Sequence, residues 1–175
     1  MTSATAIRLL GFLLVLTAGI SQATNGWVIR EDGAGPAKIG MSLSQLNPTL
    51  HEKFAMPKAK DSQGCFYVKP TKHPHVSFMI ENGRLARIDV DSAGTPTVQG
   101  IQVGDSEQHA LEVYGPNLRV ENHKYIPEGH YLTIRSKDNR YGIRFETDNG
   151  FELSTRAVLK RSNTSSAANN TRYGQ

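Results

Sequence analysis

Asp89 and Asp91 stand two positions apart in a segment that alternates apolar and charged residues. On a strand they share a face and lie roughly 6–7 Å apart. Carboxylate pairs separated by about 5–9.5 Å act as acid and base in glycoside hydrolysis. Arg87 falls on the same face, so the row reads more simply as a solvated charge ladder. A second cluster runs from His123 to Tyr131 and gathers two Tyr, two His, a Glu and a Lys around Pro127 and Gly129. Tyrosine offers a large contact area and a hydrogen-bonding tip at low entropic cost, which suits a recognition loop. The competing reading is a structural loop whose aromatics fold back on the sheet. The candidate binding residues are therefore Arg87, Asp89, Asp91, Lys124, Tyr125, Glu128, His130 and Tyr131.

Other reactive side chains lack partners at useful spacing. Cys65 sits in a strand-like run beside aromatics without a nucleophile signature, so it reads as an inert, free or bridge-deprived thiol. His73-Pro74-His75 offers two imidazoles, but no carboxylate or third His follows at ligand spacing. The expectation is no catalytic residue, no metal site and no cofactor.

These residues need elements to hold them. Ser42 with Gln45 forms an S-x-x-Q capping box. Asn47-Pro48 is expected to stop that helix and start another, with Leu43, Leu46, Leu50 and Phe54 as one apolar stripe. Ser106 or Asp105 caps a later helix whose buried face is Ala110, Leu111 and Tyr114, and Gly115-Pro116 ends it. Asp105 and Glu107 are placed to complement its dipole.

Strand patterns follow each helix. Residues 65–68, 76–80 and 86–91 form the first set, and residues 131–135, 141–145 and 151–154 the second. Ala86, Ile88 and Val90 oppose Arg87, Asp89 and Asp91, and Tyr141, Ile143 and Phe145 oppose Arg144 and Glu146. Such alternation implies a sheet with one covered and one wet face. Asn82-Gly83 predicts a primed hairpin turn, and Asn149-Gly150 a second turn.

The pattern occurs twice. Ile39-Gly40-Met41-Ser42 returns as Val103-Gly104-Asp105-Ser106, 64 residues later (104 − 40). A period of this size points to two stacked supersecondary units. The expected fold is α+β with two tandem repeats, 24–98 and 99–159, each a short helix or helix pair followed by an antiparallel sheet, the helices on one face. Residues 1–23 read as a signal peptide, with Arg8, an apolar run from Leu9 to Ile20, and Ser21-Gln22-Ala23 as a cleavage site. Residues 160–175 read as a disordered polar tail. Removing Arg8 with that leader leaves 19 Lys and Arg against 16 Asp and Glu, a net +3. That balance is too even for a nucleic-acid binder. No membrane span is expected after leader removal, and the location is periplasmic or secreted.

Lys38-Ile39-Gly40-Met41-Ser42 with Leu46, and Val103-Gly104-Asp105-Ser106 with Leu111 and Tyr114-Gly115, resemble the β-lactamase-inhibitor-protein architecture. Its single-unit relative is the outer-membrane assembly lipoprotein (BamE-type) fold. More closely, Phe78-Met79-Ile80-Glu81-Asn82-Gly83-Arg84 with Arg87-Ile88-Asp89-Val90, the Gly104 motif, Tyr114-Gly115, Lys124-Tyr125 and Glu128-Gly129-His130-Tyr131-Leu132 are similar to an uncharacterised family of exported bacterial proteins. The resemblance covers about residues 33–155. It implies a sheet face and loops that grip a target enzyme. It also implies a second Cys to pair with Cys65, where this chain has Leu159-Lys160-Arg161-Ser162. The expected function is an exported, non-enzymatic binding protein, an inhibitor of a hydrolase, with a protein partner in the cell envelope. An envelope-assembly scaffold and a hydrolase using sheet-face carboxylates are the alternatives.

Overall fold

Both serines open helices. In the computed structural model, which describes residues 26–57, 64–148, 153 and 158–160, helix α1 spans Leu43–Leu50 and α2 spans Glu107–Tyr114. Gln45 Oε1 accepts the Ser42 backbone N–H at 2.9 Å, forming the Gln45 half of the capping box. Ser106 Oγ accepts from the His109 N–H at 3.1 Å. Gly115 closes α2 with φ +52 and its N–H bonded to Leu111 O, after which one 3-10 turn carries Gly115–Asn117 onward.

The expected break at Asn47-Pro48 does not occur, and α1 runs through Pro48. Proline there removes one helical hydrogen bond, and the end of the helix is secured by Asn47 instead. Asn47 O accepts from the N–H groups of His51 and Glu52. Its side chain bonds Phe54 twice, Nδ2 to Phe54 O at 2.9 Å and Oδ1 from Phe54 N at 2.8 Å. The clamp turns Phe54 back to pack edge-on against Phe78, ring centroids 6.3 Å apart.

The described residues hold ten strands, in chain order β1 Ile29–Arg30, β2 Gly33–Ala34, β3 Ala37–Lys38, β4 Cys65–Val68, β5 Val76–Glu81, β6 Arg84–Val90, β7 Arg119–Asn122, β8 His130–Arg135, β9 Gly142–Glu146 and β10 Val158–Lys160. The first three make a small antiparallel meander. The other seven form one antiparallel sheet in the order β4-β5-β6-β10-β9-β8-β7. The fold is α+β. The Asn149-Gly150 turn and the 151–154 strand expectation lie outside the described residues except for Leu153, which bridges Thr147. Lys160, where the sequence pattern turns polar, is the last residue of β10.

Asn82 and Gly83 connect β5 and β6 with φ values of 51° and 73°, the primed turn expected. Alternation then fails at one point. Ile80 pairs with Leu85 but Met79 pairs with Arg87, so Ala86 is the extra residue of a bulge. Leu85 therefore joins Ile88 and Val90 on the buried side, where the sequence pattern had placed Ala86. The covered face carries Val76, Phe78 and Ile80, then Ile88, Leu132, Ile143 and Phe145, with Leu46 of α1 and Ala110 and Tyr114 of α2 in the same core. Full burial contributes about 1.5–3 kcal/mol for each large apolar side chain.

The two Gly-x-Ser segments share one backbone construction. Met41 N bonds Lys38 O and Asp105 N bonds Gln102 O, closing turns whose Gly40 and Gly104 have φ +94 and +95. Each turn then exchanges two hydrogen bonds with one leucine. Gly40 N donates to Leu85 O and Leu85 N to Met41 O; Gly104 N donates to Leu153 O and Leu153 N to Asp105 O. These bonds measure 2.7–2.8 Å in all four cases. Between the halves, Thr97 is tied to Ile101 at both backbone and side chain, accepts from Tyr114 Oη at 2.7 Å, and bridges Ile29 of β1.

Because nothing lies within 4 Å of a Cβ built at Gly40 or Gly104, alanine there meets only the left-handed backbone penalty of about 1–2 kcal/mol. Urea unfolding of Gly40→Ala and Gly104→Ala should give losses equal within error, near that size.

Candidate functional site

The face opposite the helices carries Arg87 and Asp89 of β6 and Tyr131 of β8. Register puts Tyr67, Met79 and Arg87 in one cross-strand row. Thr133 and Arg144 pair on neighbouring strands, as do Tyr131 and Glu146. Two arginines lie over tyrosine rings, Arg87 over Tyr67 at 5.8 Å and Arg144 over Tyr131 at 4.9 Å.

Asp89 is less accessible than an open-face carboxylate should be, at 6% exposure. Arg87 holds it, with Nη2 bonded to Oδ2 at 2.9 Å and Nε 2.8 Å from Oδ1, the second an electrostatic approach rather than an aligned hydrogen bond. The same guanidinium donates to Tyr67 Oη. Asp91 lies one residue past β6, exposed, with Lys69 Nζ at 3.8 Å. Each aspartate thus faces its own cation, Asp89 in a largely buried pair and Asp91 in an exposed one.

The 123–131 loop is braced from within. His123 Nδ1 accepts the N–H groups of Tyr125 at 3.1 Å and Ile126 at 3.0 Å, which leaves its proton on Nε2, 3.7 Å from Glu146 Oε2. The imidazole lies against Tyr131 with ring centroids 4.3 Å apart. Gly129 N–H closes onto Ile126 O, and Glu128 takes φ +65 at the tip. Tyr125, 75% exposed, projects from this frame with Lys124 Nζ 5.1 Å from its ring. The aromatic folded back is Tyr131, and the one presented outward is Tyr125.

His130 belongs to the other side of the sheet. One residue from Tyr131 on an alternating strand, it turns toward α2, and Nδ1 lies 2.9 Å from Glu107 Oε2. Its backbone N–H donates to Thr147 Oγ1 at 2.7 Å. Its expected place on the binding surface is corrected by this geometry. Glu107, placed to complement the helix dipole, is 8% exposed and lies against this imidazole.

Cys65 is exposed at the start of edge strand β4. His73 stacks on Trp27 with centroids 4.0 Å apart, and His75 Nε2 is 2.8 Å from Thr95 Oγ1. Gly35 lies so close to the indole that a Cβ there would come within 2.6 Å of it. Among the described residues no group of three or more His, Cys, Asp or Glu is arranged to hold a metal. Sequence reasoning missed His123 as the brace, along with Thr133, Arg135 and Arg144; the alternation of residues 141–146 was the signal for Arg144.

No family model, curated protein or solved structure matches the chain. Among the described residues no helix is long and apolar enough to cross a membrane.

Burial, then the nearby His75 and Lys72 charges, hold the His73 pKa below its ordinary 6.5. The unfolded chain therefore binds this proton more readily than the folded one, and stability falls as pH drops below about 6.5. His73→Phe keeps a ring against Trp27 and removes the titration; its urea midpoint, followed by the single Trp, should fall less between pH 7 and pH 5 than that of the parent. His123→Ala should speed amide exchange at Tyr125 and Ile126 by tenfold or more while leaving β5 and β6 amides unchanged, as read by hydrogen-exchange NMR.

Proposed function

We propose that this is an exported, non-enzymatic binding protein of the cell envelope that grips a protein partner with its open sheet face and the 123–131 loop. The single observation that carries the reading is Tyr125, a large aromatic held 75% exposed on a loop whose turn is fixed by His123. A rigid frame presenting an exposed tyrosine lowers the entropic cost of recognition. Arg87 and Arg144, each lying over a tyrosine, extend the surface across the sheet.

The tandem-repeat reading, with units 24–98 and 99–159, draws support from the matched turns at Gly40 and Gly104 and their paired bonds to Leu85 and Leu153. The strand order is also consistent with it, since β4-β5-β6 and β7-β8-β9 approach the centre from opposite edges. The β-lactamase-inhibitor-like architecture is part of the same proposal, and a hydrolase is the partner it suggests. The apolar run after Arg8 supports export, to the periplasm or beyond. The scaffold alternative has one observation in its favour: β4 and β7 are the outer strands of the sheet, and edges of this kind accept an added strand.

Immobilised mature protein should retain a discrete partner from periplasmic extract, and Tyr125→Ala should cut the retained amount at least tenfold, the loss expected for a central aromatic contact. Equal retention by both proteins would remove the loop from the site.

A further inference from the structure

The open face is not evenly neutralised. Arg87 is matched by Asp89, and Arg119 by Glu121 at 3.0 Å. Arg135 and Arg144 have no carboxylate within ion-pair distance among the described residues, and they are diagonal neighbours. Arg144 pairs with Thr133 across β8 and β9, and Arg135 follows Thr133 by two residues on the same face. Opposite Arg135 stands Gly142, where a Cβ would come within 2.7 Å of Ile134 O and 3.8 Å of Arg135 Cγ, so the Arg135 stem lies beside the glycine. Arg144 is pre-set, with Nε donating to Thr133 Oγ1 at 3.3 Å and the guanidinium over Tyr131.

Resting on the binding reading above, we propose that Arg135 and Arg144 receive two carboxylates from an extended segment of the protein partner. Guanidinium groups bind carboxylates through parallel N–H donors, and stacking on an aromatic ring orients the fork in advance. Alternate residues of an extended strand lie about 6.6–6.8 Å apart on one side, a spacing that suits a diagonal pair of arginines on adjacent strands. The partner segment therefore carries acid-x-acid. A polyphosphate surface fits less well, because Glu146 and Glu121 flank Tyr131 in the next row and repel a dense anion. The chain's own remaining segments fit less well too. Residues 161–175 contain no Asp or Glu, and outside the described residues the carboxylates are Asp61 and Glu152.

The probe is the blocked pentapeptide Ser-Glu-Ser-Glu-Ser, titrated to millimolar concentration into isotopically labelled mature protein and followed by NMR, arginine side-chain signals included. Shifts confined to Arg135, Arg144, Tyr131 and Thr133 are expected, with the Gln-for-Glu peptide inert. Arg135→Gln, at an exposed position, and Arg144→Gln should each weaken binding about tenfold, the scale of one charge-assisted pair. Spectral dispersion verifies that each variant is folded. Absent or scattered shifts would overturn the proposal, as would equal binding of the Gln peptide. Stronger binding of pyrophosphate, or of phosphatidylglycerol vesicles, at the same residues would assign the site to phosphate instead. Peptide binding that emerges only in Glu152→Gln would make Glu152 the occupant, and an arginine-dependent dimer in sedimentation would make it a second copy; both overturn the proposal. Partner retention from extract that depends on Tyr125 but ignores both arginine variants would refute the acid-x-acid chemistry while leaving the binding reading standing.

Discussion

Two pairs of short hydrogen bonds decide which face of the sheet is inside. Gly40 and Met41 clasp Leu85, and Gly104 and Asp105 clasp Leu153, immediately before each helix begins. A helix that starts from such a clasp must leave on the side toward which the leucine points. Leu85 and Leu153 are both buried at 1% exposure, so both helices lie over the same apolar core. The positive φ at each glycine is the local cost of that geometry. The Arg87–Asp89 pair and Arg144 over Tyr131 lie on the opposite face as a result.

That division sorts residues by parity along each strand. Tyr131 and His130 are neighbours in sequence, yet one lies under Arg144 on the open side and the other reaches Glu107 beneath α2. Thr147 ties this inner pair to the strand, bonding the His130 backbone and standing 3.4 Å from Glu107 Oε2. His123 plays the complementary part outside, converting a flexible-looking Pro-Gly stretch into a held turn. The loop is therefore anchored from both faces of the sheet, and Tyr125 is what remains outside the anchors.

The sequence made the helix starts legible because a capping serine and its partner are three residues apart, a local relation. The central strands were legible because six or seven residues suffice to display a period of two. The meander β1–β3 was not, since strands of two residues have no period to show and are held through Pro96, Thr97 and Val98. The bulge at Ala86 hid for a related reason: an inserted residue shifts the parity, and only the partner strand reveals where. Asn47 was misread as a cap because Asn-Pro at a helix start and Asn clamping a distant backbone look alike until Phe54 is located. At the candidate site, Tyr125 and Tyr131 were visible as residue types, whereas their opposite roles depended on which one His123 and Arg144 covered.

Strand β10 has a consequence for the order in which this molecule assembles. Leu159 pairs with both Ile88 and Ile143, so three residues near the end of the described chain join strands whose partners lie 71 and 16 positions earlier (159 − 88; 159 − 143). A chain synthesised from its N-terminus can complete the β4–β6 hairpins well before Leu159 exists. During that interval the inner side of β6 is a bare edge, flanked by Ile88 and Val90. Closing it spans a long loop and belongs to the slow, non-local part of folding. The vulnerable moment of this protein is thus set by β10, and a chain shortened before Val158 would keep that edge exposed permanently.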